Sequence, residues 1–323
     1  MTTTDASHAA ARRRPLDYLG LVMRGFFMGA ADIVPGVSGG TMAFILGIYE
    51  ELITSIRAVD SQLVRKVLRL HIREALSTFP WQFLLSVGIG VGLAILTLAQ
   101  FLENQLELHP NRVWAFFFGL VLASVVIVSR AVSRWRAATF GAAIAAAIGG
   151  YVLVGAVPVQ TPEAPWFLFL SGAIAICAMI LPGISGAFIL VLLGKYQYVL
   201  AAVNNRDILT VGLVGLGAGF GIVTFARALN WLFIHHRDVT VAALTGLMIG
   251  SLRKVWPWKV TLQTTIDRHG EIVPLVQANI LPAALDGEVW FSIGLLTLGI
   301  VAVLLLTWAA GRRRPAAEAA LTG

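Results

Sequence analysis

Uncharged apolar runs recur along this 323-residue chain, and a run of about 17 to 25 such residues can cross a hydrocarbon layer of roughly 30 Å as a helix. Six spans are read, at about 80–102, 112–129, 138–157, 208–232, 239–252 and 288–310. With 58% hydrophobic and 13% charged residues, the chain lies outside the soluble globular range. The expected fold class is an all-α polytopic membrane protein. Its net charge of +7 does not point to nucleic acid. The Arg and Lys residues stand in short clusters beside apolar runs, where they set topology and meet anionic lipid. The single cysteine, Cys177, excludes an intrachain disulfide and a cysteine zinc site, and no metal or cofactor is expected.

Basic residues in short flanking loops stay on the cytoplasmic side. Arg12, Arg13 and Arg14 precede the first apolar segment, and Arg57, Arg65, Lys66, Arg69 and Arg73 follow it. Both flanks therefore belong inside, so residues 16–56 are expected to enter, turn at "PGVSGG" and leave by the same face as a re-entrant hairpin. The following spans lead out to "ENQLELHPN", back to "RAVSRWR" and out to "PVQTPEAP". Residues 166–203 form a second hairpin entering from outside, and the last three spans end inside at "GRRRP". This gives a multi-pass protein of the bacterial inner (plasma) membrane with both termini cytoplasmic. Residues 1–15 read as a disordered tail with no removed signal peptide, 311–323 as a second tail, and 256–288 as an external loop without a legible motif.

The chain also repeats itself. "ADIVPGVSGGTMAFILGIY" (31–49) matches "AMILPGISGAFILVLLGKY" (178–196) at 9 of 19 positions, with an offset of 147. Residues 88–124 match 215–251 at 12 of 37 positions, with an offset of 127. Constant offsets argue for duplication rather than shared composition, and the basic stretch 57–76 supplies the 20 extra residues of the first half. The halves are 16–157 and 158–310, each with one re-entrant hairpin and three transmembrane helices. An odd number of spans inverts the second half, the plan of many secondary transporters.

Non-helical backbone at membrane depth is tolerated only where protein or a water-filled cavity satisfies it. Pro35 and Pro182 each end an incoming helix, and Gly36 and Gly183 permit the reversal. Ser38 and Ser185 stand where N-caps belong. The expected substrate-binding groups are therefore Ser38, Gly39, Gly40 and Thr41 in one hairpin and Ser185 and Gly186 in the other, with helix amides turned toward an anion, phosphate in particular. The second copy is less polar, with Met179 and Phe188 in place of Asp32 and Thr41.

Charges inside membrane segments are few, and such charges are usually functional. Asp32 is read as a proton-coupling group or as the partner of Arg24, a substrate-binding candidate. Glu50 and Glu51 are proton-relay candidates at an interface, where plain solvation explains them as well. Lys195 either draws in an anionic headgroup or snorkels. Arg227 is a phosphate partner or a snorkelling residue, and the histidines carry no ligand spacing.

The stretches "RGFFMGAADIVPGVSGGTMAFILGIYEELI" and "MILPGISGAFILVLLGKY", with the span order around them, resemble the bacterial undecaprenyl-phosphate translocase family, formerly a polytopic domain of unknown function. The resemblance covers about residues 16–310. It implies a lipid transporter that returns undecaprenyl phosphate from the outer to the cytoplasmic leaflet for reuse in cell-envelope polymer synthesis. The partners it implies are that lipid-linked phosphate, membrane lipids and a coupling ion, proton or cation. The expected mechanism holds phosphate between the two sets of helix starts and releases it inward as the repeats rock. The alternative is a small-anion channel or exchanger using the same helix starts. A lipid phosphatase would need a histidine near "PGVSGG", and the sequence has none there.

Overall fold

The computed structural model describes residues 15–34, 37–266 and 272–319. The first hairpin comprises α1 (Pro15–Ile33), α2 (Gly39–Ile45) and α3 (Tyr49–Arg57). The basic insertion forms α4 (Ser61–Leu68) and α5 (Ile72–Thr78). Three long helices follow: α6 (Trp81–Leu108), α7 (Pro110–Ser129) and α8 (Ala137–Val154). The second hairpin comprises α9 (Pro165–Ile180), α10 (Gly186–Leu192) and α11 (Tyr196–Asn204), followed by α12 (Ile208–His235) and α13 (Arg237–Val255). Then come β1 (Lys259–Ile266), β2 (Ile272–Asn279) and α14 (Gly287–Ala319).

Among the described residues α6, α7, α8, α12 and the Gly287–Trp308 part of α14 are long and apolar enough to cross a membrane, and α10 and α11, bent by 107°, make a sixth span if counted as one. The protein is therefore a multi-pass membrane protein. Apolar side chains such as Leu96 on α6, Leu216 and Phe220 on α12 and Leu305 on α14 point outward, as lipid contact requires. The expected span at 239–252 is α13, which is less apolar because protein surrounds it. It packs between α7 and α8. Its buried Thr240, Thr245 and Ser251 return their hydroxyls to the carbonyls of His236, Val241 and Met248, so the polar groups need no outside partner.

Two expectations are corrected. The fold is not all-α, because the 256–288 loop contains an antiparallel hairpin with Lys259 opposite Asn279 and Ile266 opposite Ile272. Most of "ENQLELHPN" is helix, since α6 runs to Leu108; α7 then starts at Pro110, whose fixed φ and missing N–H suit a first helical position. In the expected tail from 311, α14 continues to Ala319.

Helices pack in four principal pairs: α1 on α6, α9 on α12, α7 on α14 and α8 on α13. Close approach depends on glycine. A Cβ at Gly90 would collide with the Val22 carbonyl, and one at Gly217 with the Phe169 carbonyl, so these helices meet backbone to backbone.

Candidate functional site

At the first break the chain satisfies its own polar groups. Ser38 is the N-cap of α2, with φ −119° and ψ 130°, and its Oγ accepts from the Gly40 amide at 3.1 Å. The same hydroxyl lies 3.2 Å from the Leu181 carbonyl and 3.4 Å from the Met179 carbonyl, to which it donates. Asp32 Oδ1 accepts from the Gly39 amide at 2.6 Å. A side chain on Gly39 would strike that carboxylate. Tyr49 donates its buried hydroxyl to the Ile180 carbonyl at 3.1 Å. Thr41 is wholly buried, and its Oγ1 has no hydrogen-bond partner. Ser38, Gly39, Gly40 and Thr41 are thus sealed beneath the second hairpin. Pro35 and Gly36 lie outside the described residues.

The second break is open where the first is closed. Pro182 and Gly183 are buried; Gly183 has φ +90° and lies against Ser251, a conformation and a contact that exclude a side chain. Ser185 occupies the N-cap position of α10 but makes no capping bond, and it faces a cavity. Gly186 packs against the Ala175 carbonyl. A strap holds the far corner of this hairpin: Val159 N donates to Leu192 O at 2.9 Å, and Thr161 donates to Leu193 O. Lys195, 2% exposed, completes it by donating Nζ to the Thr161 carbonyl at 2.7 Å.

Between the two hairpins lies a cavity of about 640 Å³ whose polar lining includes Asp32, Ser185, Tyr196, Arg253, Lys254 and Lys259. The three cations come from the last turn of α13 and the first residue of β1. Arg253 stacks on the Tyr151 ring at 4.3 Å and donates to the Tyr151 carbonyl at 3.0 Å. Lys254 Nζ lies 4.8 Å from the Phe188 ring centroid. Lys259 Nζ donates to the Lys254 carbonyl at 2.6 Å and sits 3.9 Å from the Trp114 ring centroid. Asn279 in β2 donates to the Arg253 carbonyl at 2.8 Å. The β hairpin therefore caps the orphan carbonyls that end α13 and brings a third cation to the two already there. Burial, helped by the neighbouring charge of Lys254, pushes the Lys259 ammonium down to about 7.

The other candidate charges lie elsewhere. Arg227 is exposed on α12 and donates to the Val59 carbonyl at 3.2 Å, beside a shallow apolar groove. Arg24 is half-buried on α1 and is not among the cavity-lining residues. Glu50 meets Arg237 at 3.2 Å, with both side chains half exposed, an ion pair of little energetic weight. Glu51 follows it on α3. Of the expected site residues, the cavity brings together Asp32 and Ser185. Sequence reasoning missed Arg253, Lys254 and Lys259. Their signal was the basic "RKVWPWK" at the end of a span expected to face outward, where Lys and Arg are disfavoured. Among the described residues no group of three His, Cys, Asp or Glu side chains has the arrangement of a metal site.

Fold and site together define a polytopic helical membrane protein with a cationic cavity between two broken hairpins. Residues 28–273 match the VCA0040-like family, described as undecaprenyl phosphate translocase-like. A polyprenyl-phosphate transporter of Vibrio cholerae is 40% identical over 299 residues, covering 90% of this chain and 96% of the relative. One of Staphylococcus aureus is 30% identical over 255 residues, covering 73% and 85% respectively. No solved structure matches. The chain belongs to the VCA0040-like, undecaprenyl phosphate translocase-like family, whose named relatives are transporters rather than enzymes.

Proposed function

We propose that this protein carries undecaprenyl phosphate from the outer to the cytoplasmic leaflet of the bacterial plasma membrane, for reuse in envelope polymer synthesis. The observation that carries the proposal is the cavity itself, where three cations and the uncapped Ser185 outnumber the one carboxylate, Asp32. Arg and Lys donors match a phosphate monoester, and a headgroup held there leaves a long isoprenoid tail to the surrounding lipid. The cavity and its family relatives favour a lipid phosphate over the small-anion reading.

Two inverted repeats are part of the same reading. Exchanging the halves turns the α1–α6 pair into α9–α12 and α7–α14 into α13–α8, and all four are principal packing pairs. The correspondence extends to single residues: Gly25 abuts the Val87 carbonyl as Gly172 abuts Val214, and Gly90 abuts Val22 as Gly217 abuts Phe169. Each partner is shifted by the offsets of 147 and 127 found in the sequence.

In this scheme both termini are cytoplasmic and the cavity opens toward the outer leaflet. Phosphate binds Arg253, Lys254, Lys259 and Ser185, and rocking of the repeats releases it inward. Moving negative charge toward a negative interior costs about 2.3 kcal/mol per charge per 100 mV, so inward accumulation needs a coupled proton or cation or a dissipative lipid gradient, and Asp32 is the carboxylate in the cavity for the first. The test is reconstitution in liposomes with a leaflet-selective assay for undecaprenyl phosphate. Facilitated transfer that excess chloride does not inhibit is expected. Absence of transfer, or chloride flux that competes with it, overturns the proposal.

A further inference from the structure

The contacts that seal the first hairpin have mirror images that are not made. Three hydrogen bonds run from the first hairpin to the end of α9: Ser38 to the Met179 and Leu181 carbonyls, and Tyr49 to the Ile180 carbonyl. Adding 147 converts Ser38 into Ser185 and Tyr49 into Tyr196, and subtracting it converts Met179, Ile180 and Leu181 into Asp32, Ile33 and Val34. Both sets of counterparts are present, and they stand apart across the cavity. Ser185 and Tyr196 line one wall; Asp32 and Ile33 line the other. Tyr49 is 2% exposed and Tyr196 is 38% exposed.

We propose that Ser38 with Tyr49 and Ser185 with Tyr196 are alternate latches of one transport cycle. The first pair holds the structure with its cavity open; the second closes that cavity by bonding to the Asp32, Ile33 and Val34 carbonyls as the first lets go. The proposal rests on the inverted-repeat reading. The acceptors suit the role, because the last carbonyls of α1 and α9 precede a break and lose the regular next turn of helix. Val34 and Leu181 keep one turn bond each, from the Val37 and Ile184 amides, and a carbonyl has a second lone pair for a latch hydroxyl.

Thr41 supplies an independent observation. Its counterpart is Phe188, a cavity-lining residue, yet Thr41 is sealed with an unpartnered hydroxyl. Such a group is ordinarily satisfied. Release of the first latch opens the Thr41 side to water and supplies its missing partner. The two latches are not equal, since Gly40 packs its α-carbon onto the Ile180 carbonyl where the second copy has Ala187. The Ala187 methyl holds the mirrored contact farther apart, which favours the state seen here.

The test uses full-length protein in liposomes, with Cys177→Ser removing the native thiol and Thr41→Cys, nearly isosteric, as reporter. The thiol reacts with a membrane-impermeant maleimide only when the first latch is open, so its labelling rate follows the population of the opposite state. Tyr49→Phe is expected to raise that rate and Tyr196→Phe to lower it, each by roughly two- to tenfold, the range of one net hydrogen bond. Val191→Cys, in the cavity wall, should report the reverse signs and serves if Thr41→Cys does not fold. Shifts of the same sign, or no shift with either reporter, overturn the latch exchange. Glu50→Cys and Gln197→Cys, related by the same offset, keep the two ideas distinguishable. Labelling of both from one face overturns the inverted repeat itself; labelling from opposite faces leaves it standing whatever the tyrosines do.

Discussion

The Asp32 carboxylate accepts the Gly39 amide at 2.6 Å, so the start of α2 is neutralised by a charge from its own hairpin. Met179 stands at the equivalent place in the second hairpin, and α10 has no carboxylate at its start. The two breaks are alike in backbone plan and unlike in charge. Asp32 also lines the cavity, so the proposed phosphate site has its one carboxylate on the side of the first hairpin and Arg253, Lys254 and Lys259 as its cations.

This relationship separates two roles of Asp32. Asp32→Asn keeps an oxygen acceptor for Gly39, whereas Asp32→Ala removes it and leaves a buried amide unpaired, a loss of about 1–3 kcal/mol. Thermal unfolding in detergent should show a lower Tm for the alanine variant and little change for asparagine. If Asp32 carries the coupling proton, both variants lose the pH dependence of transport in liposomes. Full pH-dependent transport by Asp32→Asn assigns Asp32 to structure alone.

The cavity cations make a second prediction. Arg253→Gln and Lys254→Gln each remove a charged donor, which corresponds to about 1.5–3 kcal/mol, or roughly tenfold to a hundredfold weaker binding. Arg227→Gln, outside the cavity, should change affinity by less than about threefold. Titration of a short-chain polyprenyl phosphate into nanodisc-held protein measures all three. Equal losses at Arg227 and Arg253 would move the phosphate site away from this cavity.

How much of this was legible in the sequence follows from how far each interaction reaches. Membrane spans show as apolar runs, and the N-cap positions of Ser38 and Ser185 show in the residues beside them, because both effects are local. The filling of one helix start by Asp32 does not show, since it requires Asp32 and Gly39 to face each other across the break. The cation cluster was legible only as the basic "RKVWPWK" at a span end, and its convergence was not: β1 and β2 pair weakly patterned segments, one interrupted by Pro274, and only their docking on α13 sets Lys259 beside Lys254. Arg227 looked functional by its depth along α12, but depth does not reveal which side of a helix faces lipid.

Lys259 gives a pH dependence with a definite sign. Burial holds its ammonium at about 7, below its ordinary 10.5, so it is charged below about 7 and neutral above. The charged side chains that line the cavity with it are Lys254, Arg253 and Asp32. Phosphate affinity should rise as pH falls through about 7, and Lys259→Arg, charged throughout, should flatten that rise. The same shift affects folding: the unfavourable burial of the charge is present in full below about 7 and is relieved as pH climbs toward 10.5. Lys259→Met should therefore gain Tm most at acidic pH. An affinity profile unchanged by Lys259→Arg removes Lys259 from the phosphate site.

Glycines offer a test of the packing on which the cavity depends. Gly90 and Gly217 occupy equivalent positions on α6 and α12, and a methyl on either would run into a carbonyl of the facing helix, Val22 or Phe169. Backbone cannot yield as a flexible side chain does, so Gly90→Ala and Gly217→Ala should each destabilise by about 1–3 kcal/mol. Gly88 and Gly215, two residues earlier on the same helices, have nothing within 4 Å of where a methyl carbon would stand. There alanine should be neutral or stabilising by about 0.5–1 kcal/mol through its better helix propensity. Thermal unfolding of the four variants in one detergent should split them into two pairs by contact rather than by repeat. A split that grouped Gly88 with Gly90 and Gly215 with Gly217 would mean that the two helices differ in tolerance and that the matched close contacts do not govern their packing.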